Sequence, residues 1–257
     1  SFGLIPLFAK LSYVNGFNPY TFNLFRILFT VGVLFFFLKI NKMDFKLKKE
    51  EYLTIFKITF IGYVLMMLTL STSYNYLSTG LATVIHFIYP VIVMIVSVIF
   101  FAETINRGKI LALFLAFGGM FFLVAFDSVQ NINIFGFMLA LISGFFYAYY
   151  VLVVAYGNIK EIEPYVLTFY MSIFASIIFL VFSIFTGKLQ FDYNLNGFFI
   201  VILAALISNF IGMVSFQKGL KIIKPTTATI LSTFEPITSL LIGMLIFKEE
   251  IFWYHVI

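Results

Sequence analysis

Cysteine is absent from the 257 residues, tryptophan occurs once, histidine twice, and only 11% of the chain is charged. Each shortage excludes a class. Without cysteine there is no disulfide framework, thiolate zinc site, iron–sulfur cluster or thiol nucleophile. Two histidines, His86 and His255, with acids scattered in the loops, supply no metal-ligand cluster and no paired-carboxylate centre of the kind an enzyme needs. No Walker A loop is present, so the chain carries no ATP motor of its own. The shortage of polar residues also excludes a disordered chain. What is there is 62% hydrophobic and 21% aromatic, with a mean hydropathy of +1.08. A soluble domain is about 45–50% apolar and about 25% charged. No water-soluble fold of this size has interior enough to hide the difference. The sequence is that of an integral membrane protein, with the lipid bilayer as its solvent. The net charge of +5 is too spread to mark a nucleic-acid partner.

A membrane helix needs roughly 20 apolar residues to cross about 30 Å of hydrocarbon. Turn and charge signals divide the chain into ten such segments, at 2–14, 19–39, 52–76, 80–101, 108–126, 134–156, 165–186, 196–217, 226–247 and 251 onward. The expected fold is all-α and polytopic. The tenth segment is cut short, and the first begins inside an apolar run without methionine, so a trimmed version of a longer protein is expected. The apolar start lacks the charged region and cleavage site of a signal peptide. Loops that alternate sides then sort the basic residues. Lys39, Lys42, Lys46, Lys48, Lys49, Arg107, Lys109, Lys160, Lys218, Lys221 and Lys224 fall on one side, against Lys188 and Lys248 on the other. The positive-inside rule places the N-terminus, and with an even number of spans the C-terminus, in the cytoplasm.

Sliding the chain against itself by 146 residues lays Leu81-Ala82-Thr83-Val84-Ile85 on Thr227-Ala228-Thr229-Ile230-Leu231. The same frame lays Tyr89-Pro90-Val91 on Glu235-Pro236-Ile237, and Phe101-Ala102-Glu103 on Phe247-Lys248-Glu249. Two repeats of five spans are expected, at 1–127 and 128–257. An odd number of spans in each half turns the second upside down relative to the first. Inverted repeats are a transporter arrangement, in which two halves rock around a central site.

These residues resemble the EamA-type permeases of the drug/metabolite transporter superfamily. Ala82-Thr83 with Tyr89-Pro90, their second-half counterparts, Lys10, Arg26 and Gly118-Gly119 sit where that family often has such residues. Many relatives have Glu before the proline in both halves; here Tyr89 replaces the first. The resemblance implies a secondary active transporter moving small metabolites such as amino acids, in the export direction, by alternating access. A membrane channel and a membrane-embedded enzyme are the alternatives. No cofactor and no metal are expected, and a single copy suffices for a carrier. The Phe-, Ile- and Lys-rich composition fits a bacterial plasma (inner) membrane.

Ionisable groups inside a membrane are costly, which makes each a candidate site. Glu235 falls near the middle of its span, where a carboxylate exchanges a proton only when water reaches it, and a proton is the candidate coupling ion. His86 lies about one turn before Tyr89, and imidazole titrates near neutral pH. Both residues also fit plain interhelical hydrogen bonding or packing. Pro90 and Pro236 each free a backbone carbonyl and kink the helix, beside a cavity or as a simple bend. Lys10 and Arg26 either attract an anionic group or snorkel to the headgroups. Asn75, Asn209 and Ser232 either line a path or bond between helices. Tyr147, halfway through its span and close to Tyr149 and Tyr150, suits a cavity that receives aromatic or aliphatic metabolites. Gly118, Gly119, Gly144, Gly212 and Gly243 are expected at close helix contacts.

Overall fold

Polar caps in the breaks of the sequence decide where the helices start. Asn18 accepts from the Thr21 amide at 2.8 Å with Pro19 at the first turn, where its missing N–H costs nothing. Asn133 and Asn194 cap the same way, on Gly136 and Gly197, and the Glu163 side chain accepts from the Tyr165 amide beside Pro164. The computed structural model describes residues 2–77, 79–125, 132–236 and 238. Among the described residues all regular structure is helical.

We number the helices α1 (Ile5–Val14, after a 3-10 turn at Phe2–Leu4), α2 (Pro19–Ile40), α3 (Lys49–Ser73), α4 (Thr79–His86), α5 (Tyr89–Phe101), α6 (Arg107–Ala125), α7 (Ile134–Tyr156), α8 (Pro164–Phe185), α9 (Leu195–Ile222) and α10 (Pro225–Ser232). Six stretches among the described residues are long and apolar enough to cross a bilayer: α2, α3, Leu81–Phe101, α7, α8 and α9. The protein is therefore an integral, multi-pass membrane protein. Where the fifth span is expected, α6 forms. The first segment is a shorter apolar helix, Phe2–Val14. The later part of the ninth span, including Gly243, and all of the tenth lie outside the described residues, as do His255 and Lys248.

Three departures from the expected helices matter. The fourth span is two helices, α4 and α5, broken at Phe87-Ile88 just ahead of Pro90. The third span starts earlier than expected, at Lys49, where the Glu51 carboxylate accepts from the Lys48 amide; it reaches its 25 residues at Ser73. Its middle, Ile58–Leu65, winds as a π-helix, and so does Ala205–Met213 in the middle of α9. Such widened turns occur mostly at functional positions.

The core sits where α2 lies along α8. Leu34, Leu38, Ile55, Ile58, Val151, Leu167 and Met171 fill it with almost no exposed surface. Around that centre the packing is paired: α3 lies on α7 and α8, while α9 lies on α1 and α2. Outward, Phe36, Phe114, Phe185 and Phe199 are exposed, a load of apolar surface that suits hydrocarbon and not water.

The connecting loops gather at two ends. At one end Tyr170 donates to the Phe45 carbonyl at 2.9 Å, Lys221 to Ile162 at 2.6 Å and Lys224 to Thr104 at 2.8 Å. These contacts involve the connections 41–48, 102–106, 157–163 and 223–224, which together with the helix ends beside them bear most of the lysines. At the other end the Asn194 amide donates to the Asn15 carbonyl at 3.1 Å and the Asn18 side chain to Lys188 at 2.7 Å. Gly16 turns there with φ +93°, and a side chain would collide with the Asp192 carbonyl.

Candidate functional site

Pro90 cannot donate to the His86 carbonyl four residues earlier, and the helix opens at that point. The gap is filled from α7. A Cβ on Gly144 would stand 2.8 Å from the His86 carbonyl oxygen and 2.7 Å from Ile88, so only glycine lets the α7 backbone approach this closely. The second half repeats the device. The helix after Pro225 turns at Thr233, three residues before Pro236, as it does at Phe87, three residues before Pro90. There Gly3 is the close neighbour, with its Cβ position 2.9 Å from the Glu235 carbonyl and 2.8 Å from Thr238.

The two breaks meet. The Tyr89 hydroxyl lies within electrostatic reach of Ser232. Ser232 itself donates to the Ala228 carbonyl at 3.1 Å. The Glu235 carboxylate is partly buried and lies within electrostatic range of the Tyr74, Tyr89 and Tyr147 hydroxyls. His86 is buried at 7% exposure, and its Nδ1 bonds Ser143 Oγ at 2.8 Å. Ser143 in turn donates to the Ala140 carbonyl at 2.5 Å, so the imidazole supplies the N–H. The rings pack as a cluster. Tyr147 meets Tyr89 edge-on with centroids 4.6 Å apart, His86 at 5.7 Å and Tyr150 at 5.6 Å. Below them Gln217, wholly buried, donates to Tyr150 at 3.1 Å and accepts from Thr168 at 3.0 Å.

Among the residues expected at the site, the structure brings Glu235, His86, Tyr89, Tyr147 and Ser232 together beside Pro90 and Pro236. Others lie elsewhere. Asn75, expected inside the third span, sits exposed in the turn after Ser73, because that helix starts early and is complete by then. Asn209 is buried within the π-helical stretch of α9. Lys10 is exposed.

Arg26 does not snorkel. It keeps 3% of its surface, donates to Asn23 at 2.9 Å, sits over the Phe22 ring, and leaves its Nε buried without an acceptor. Among the described residues, Gly118 and Gly119 meet no atom of another helix within 4 Å, and Gly118 borders an apolar cavity of about 440 Å³ with Val84, Ile88 and Phe117.

Sequence reasoning passed over Tyr63, which lies near Tyr147 and Tyr150 from the π-helical part of α3. Nothing in the sequence separates it from the other fourteen tyrosines. It also treated Glu103 only as a marker of the repeat, although the structure buries that acid.

Comparison with known proteins follows the same division of the chain. The model of the EamA-like transporter family matches twice, at residues 1–125 and 134–257. A protein of Archaeoglobus fulgidus called an uncharacterized transporter is 26% identical over 211 residues, covering 80% of this chain and 73% of its own. One solved crystal structure superposes with a TM-score of 0.83, over 99% of this chain and 89% of the other, at 10% identity. That last likeness is one of fold.

Proposed function

The chain belongs to the EamA-like transporter family, and from that premise we propose that it is a secondary carrier of small metabolites working by alternating access. Membrane transport follows from the family and from the transporter-named relative, and both point away from an enzyme. The finer reading is two inverted five-helix repeats, ten helices in all, with substrate held between them. Two kinds of observation support it. The family model fits each half separately. The packing has counterparts under exchange of the halves: α2 with α8 is its own counterpart, α3 with α7 answers α9 with α1, and α3 with α8 answers α9 with α2.

The observation that carries the site is the meeting of two helix breaks, 146 residues apart, with Tyr89 of one within electrostatic reach of Ser232 and Glu235 of the other. Broken helices at matching places in two halves are where such carriers bind cargo, because unwound backbone near the midplane survives only where it lines a cavity or is covered by protein. In this reading the tyrosine cluster receives the apolar part of the cargo. Glu235 takes up a proton when its side of the site opens, and rocking of one half on the other moves access from face to face. Amino acids and related compounds, in the export direction, are the substrate class. In this reading the end with the excess of lysine, and the termini, face the cytoplasm, in keeping with the positive-inside rule.

The test is a metabolite panel with purified protein in liposomes. Saturable uptake that unlabelled substrate on the far side accelerates is the expected result. Ion current far above carrier turnover, with no counterflow, would point to a channel and overturn the reading.

A further inference from the structure

Helix α5 ends at Phe101 because Ala102 takes the left-handed conformation (φ +51°), and the Glu103 amide turns back onto the Ser97 carbonyl at 3.0 Å. The reversal aims the Glu103 side chain into the bundle, where 2% of it stays exposed. Three groups converge on it. Lys109 reaches Oε1 at 3.0 Å. Thr226, wholly buried in the first turn of α10, donates to Oε2 at 2.9 Å, and Tyr156, the last residue of α7, donates to Oε2 at 3.3 Å. The Tyr156 ring also lies flat on Phe101, centroids 3.8 Å apart, and Lys224 donates to Thr104 at 2.8 Å.

Glu103 thus ties the connection between α5 and α6 of the first half to the ends of two helices of the second. It does so on the lysine-bearing face. Nine residues of helix separate Thr226 from Glu235, about 13 Å at 1.5 Å per residue. We propose that the Glu103 carboxylate is a latch that closes the path between the central site and the lysine-bearing face, engaged in this structure and released when the site opens to that face. The proposal rests on the alternating-access reading.

The distribution of partners is what makes the contact releasable. A buried acid stripped of all its partners is an uncompensated charge and would hold shut whatever it joined. Here the cation, Lys109, belongs to the same half as Glu103 and travels with it. Only the two hydroxyls cross between the halves. Water can replace each of those bonds when the faces part, so opening exchanges hydrogen bonds and never orphans the charge.

The absence of cysteine from the chain makes a direct test clean. Thr229 is buried one turn inside Thr226 on the same face of α10, and Thr229→Cys reports whether the latch is shut. Membrane vesicles of both orientations are treated with a membrane-impermeant maleimide. Removing both crossing bonds with Thr226→Val and Tyr156→Phe, which leaves the Glu103–Lys109 pair intact, should raise labelling from the lysine-bearing face by about tenfold, the effect of losing roughly one charged hydrogen bond. Labelling from the opposite face should not rise. Glu103→Gln, whose carbonyl still accepts both bonds but at neutral strength, should raise labelling from that face by less than the double variant does. Equal labelling in all variants, or a rise from both faces alike, overturns the latch. If counterflow is absent but the one-sided rise occurs, the carrier reading fails and the latch stands. If counterflow is present without that rise, the latch alone is wrong.

Discussion

Glu103 and Glu235 are both carboxylates drawn into the helical bundle of one protein, and their surroundings differ in kind. Glu103 has a lysine and two hydroxyls at hydrogen-bonding distance, all with defined geometry. Glu235 stands among tyrosines, beside a broken helix and under a glycine contact. A compensated acid joins elements together; its charge is already spent on its partners. An acid facing weakly polar hydroxyls keeps its proton chemistry available for an incoming ligand or for water. Under the proposed function the contrast is between a joint and a working group.

Substitutions sharpen that contrast. The largest expected loss of stability comes from Lys109→Met, which leaves the Glu103 carboxylate buried without its cation; breaking a buried pair this way costs about 3–5 kcal/mol, and Lys109 is partly solvated, so the lower end is expected. Thermal unfolding in detergent measures it, and an unchanged melting temperature would show that the pair does not hold the fold. Gly144→Ala comes next. Its new methyl would stand under 3 Å from the His86 carbonyl and Ile88, so repacking costs about 1–3 kcal/mol. Gly118→Ala, on a helix with open space around that position, should be neutral or up to about 1 kcal/mol stabilising. If the two glycines respond alike, the close approach at the helix break is not real. Smallest is Tyr89→Phe, which removes one buried hydroxyl, costs at most about 0.5–1.5 kcal/mol and leaves the ring cluster in place. Its larger consequence should fall on transport and not on melting.

The outline of this fold was legible because bilayer thickness forces long apolar runs, and polar caps such as Asn18, Asn133 and Asn194 punctuate them. The helix breaks were legible for a local reason, since proline removes its own donor at Pro90 and Pro236. Their meeting was hinted at by the 146-residue repeat. The π-helical stretches left no trace, because they depend on what packs against them: the Gly62 position lies under 3 Å from Tyr150 on a different helix. Arg26 shows the same limit. A basic residue near one end of a span reads equally as snorkelling or buried, and only the neighbouring helices decide. Asn75 fell out of the membrane because an upstream cap shifted the start of its helix. Local chemistry set the elements; long-range packing set the site.

The central claim is that Glu235 is the working acid of a coupled carrier, and transport driven by a pH gradient tests it most directly. In liposomes loaded with a transported metabolite, the parent chain should respond to an imposed gradient. Glu235→Gln should lose that response while retaining substrate counterflow, and Glu103→Gln should keep both. Gradient dependence that survives Glu235→Gln unchanged would contradict the account.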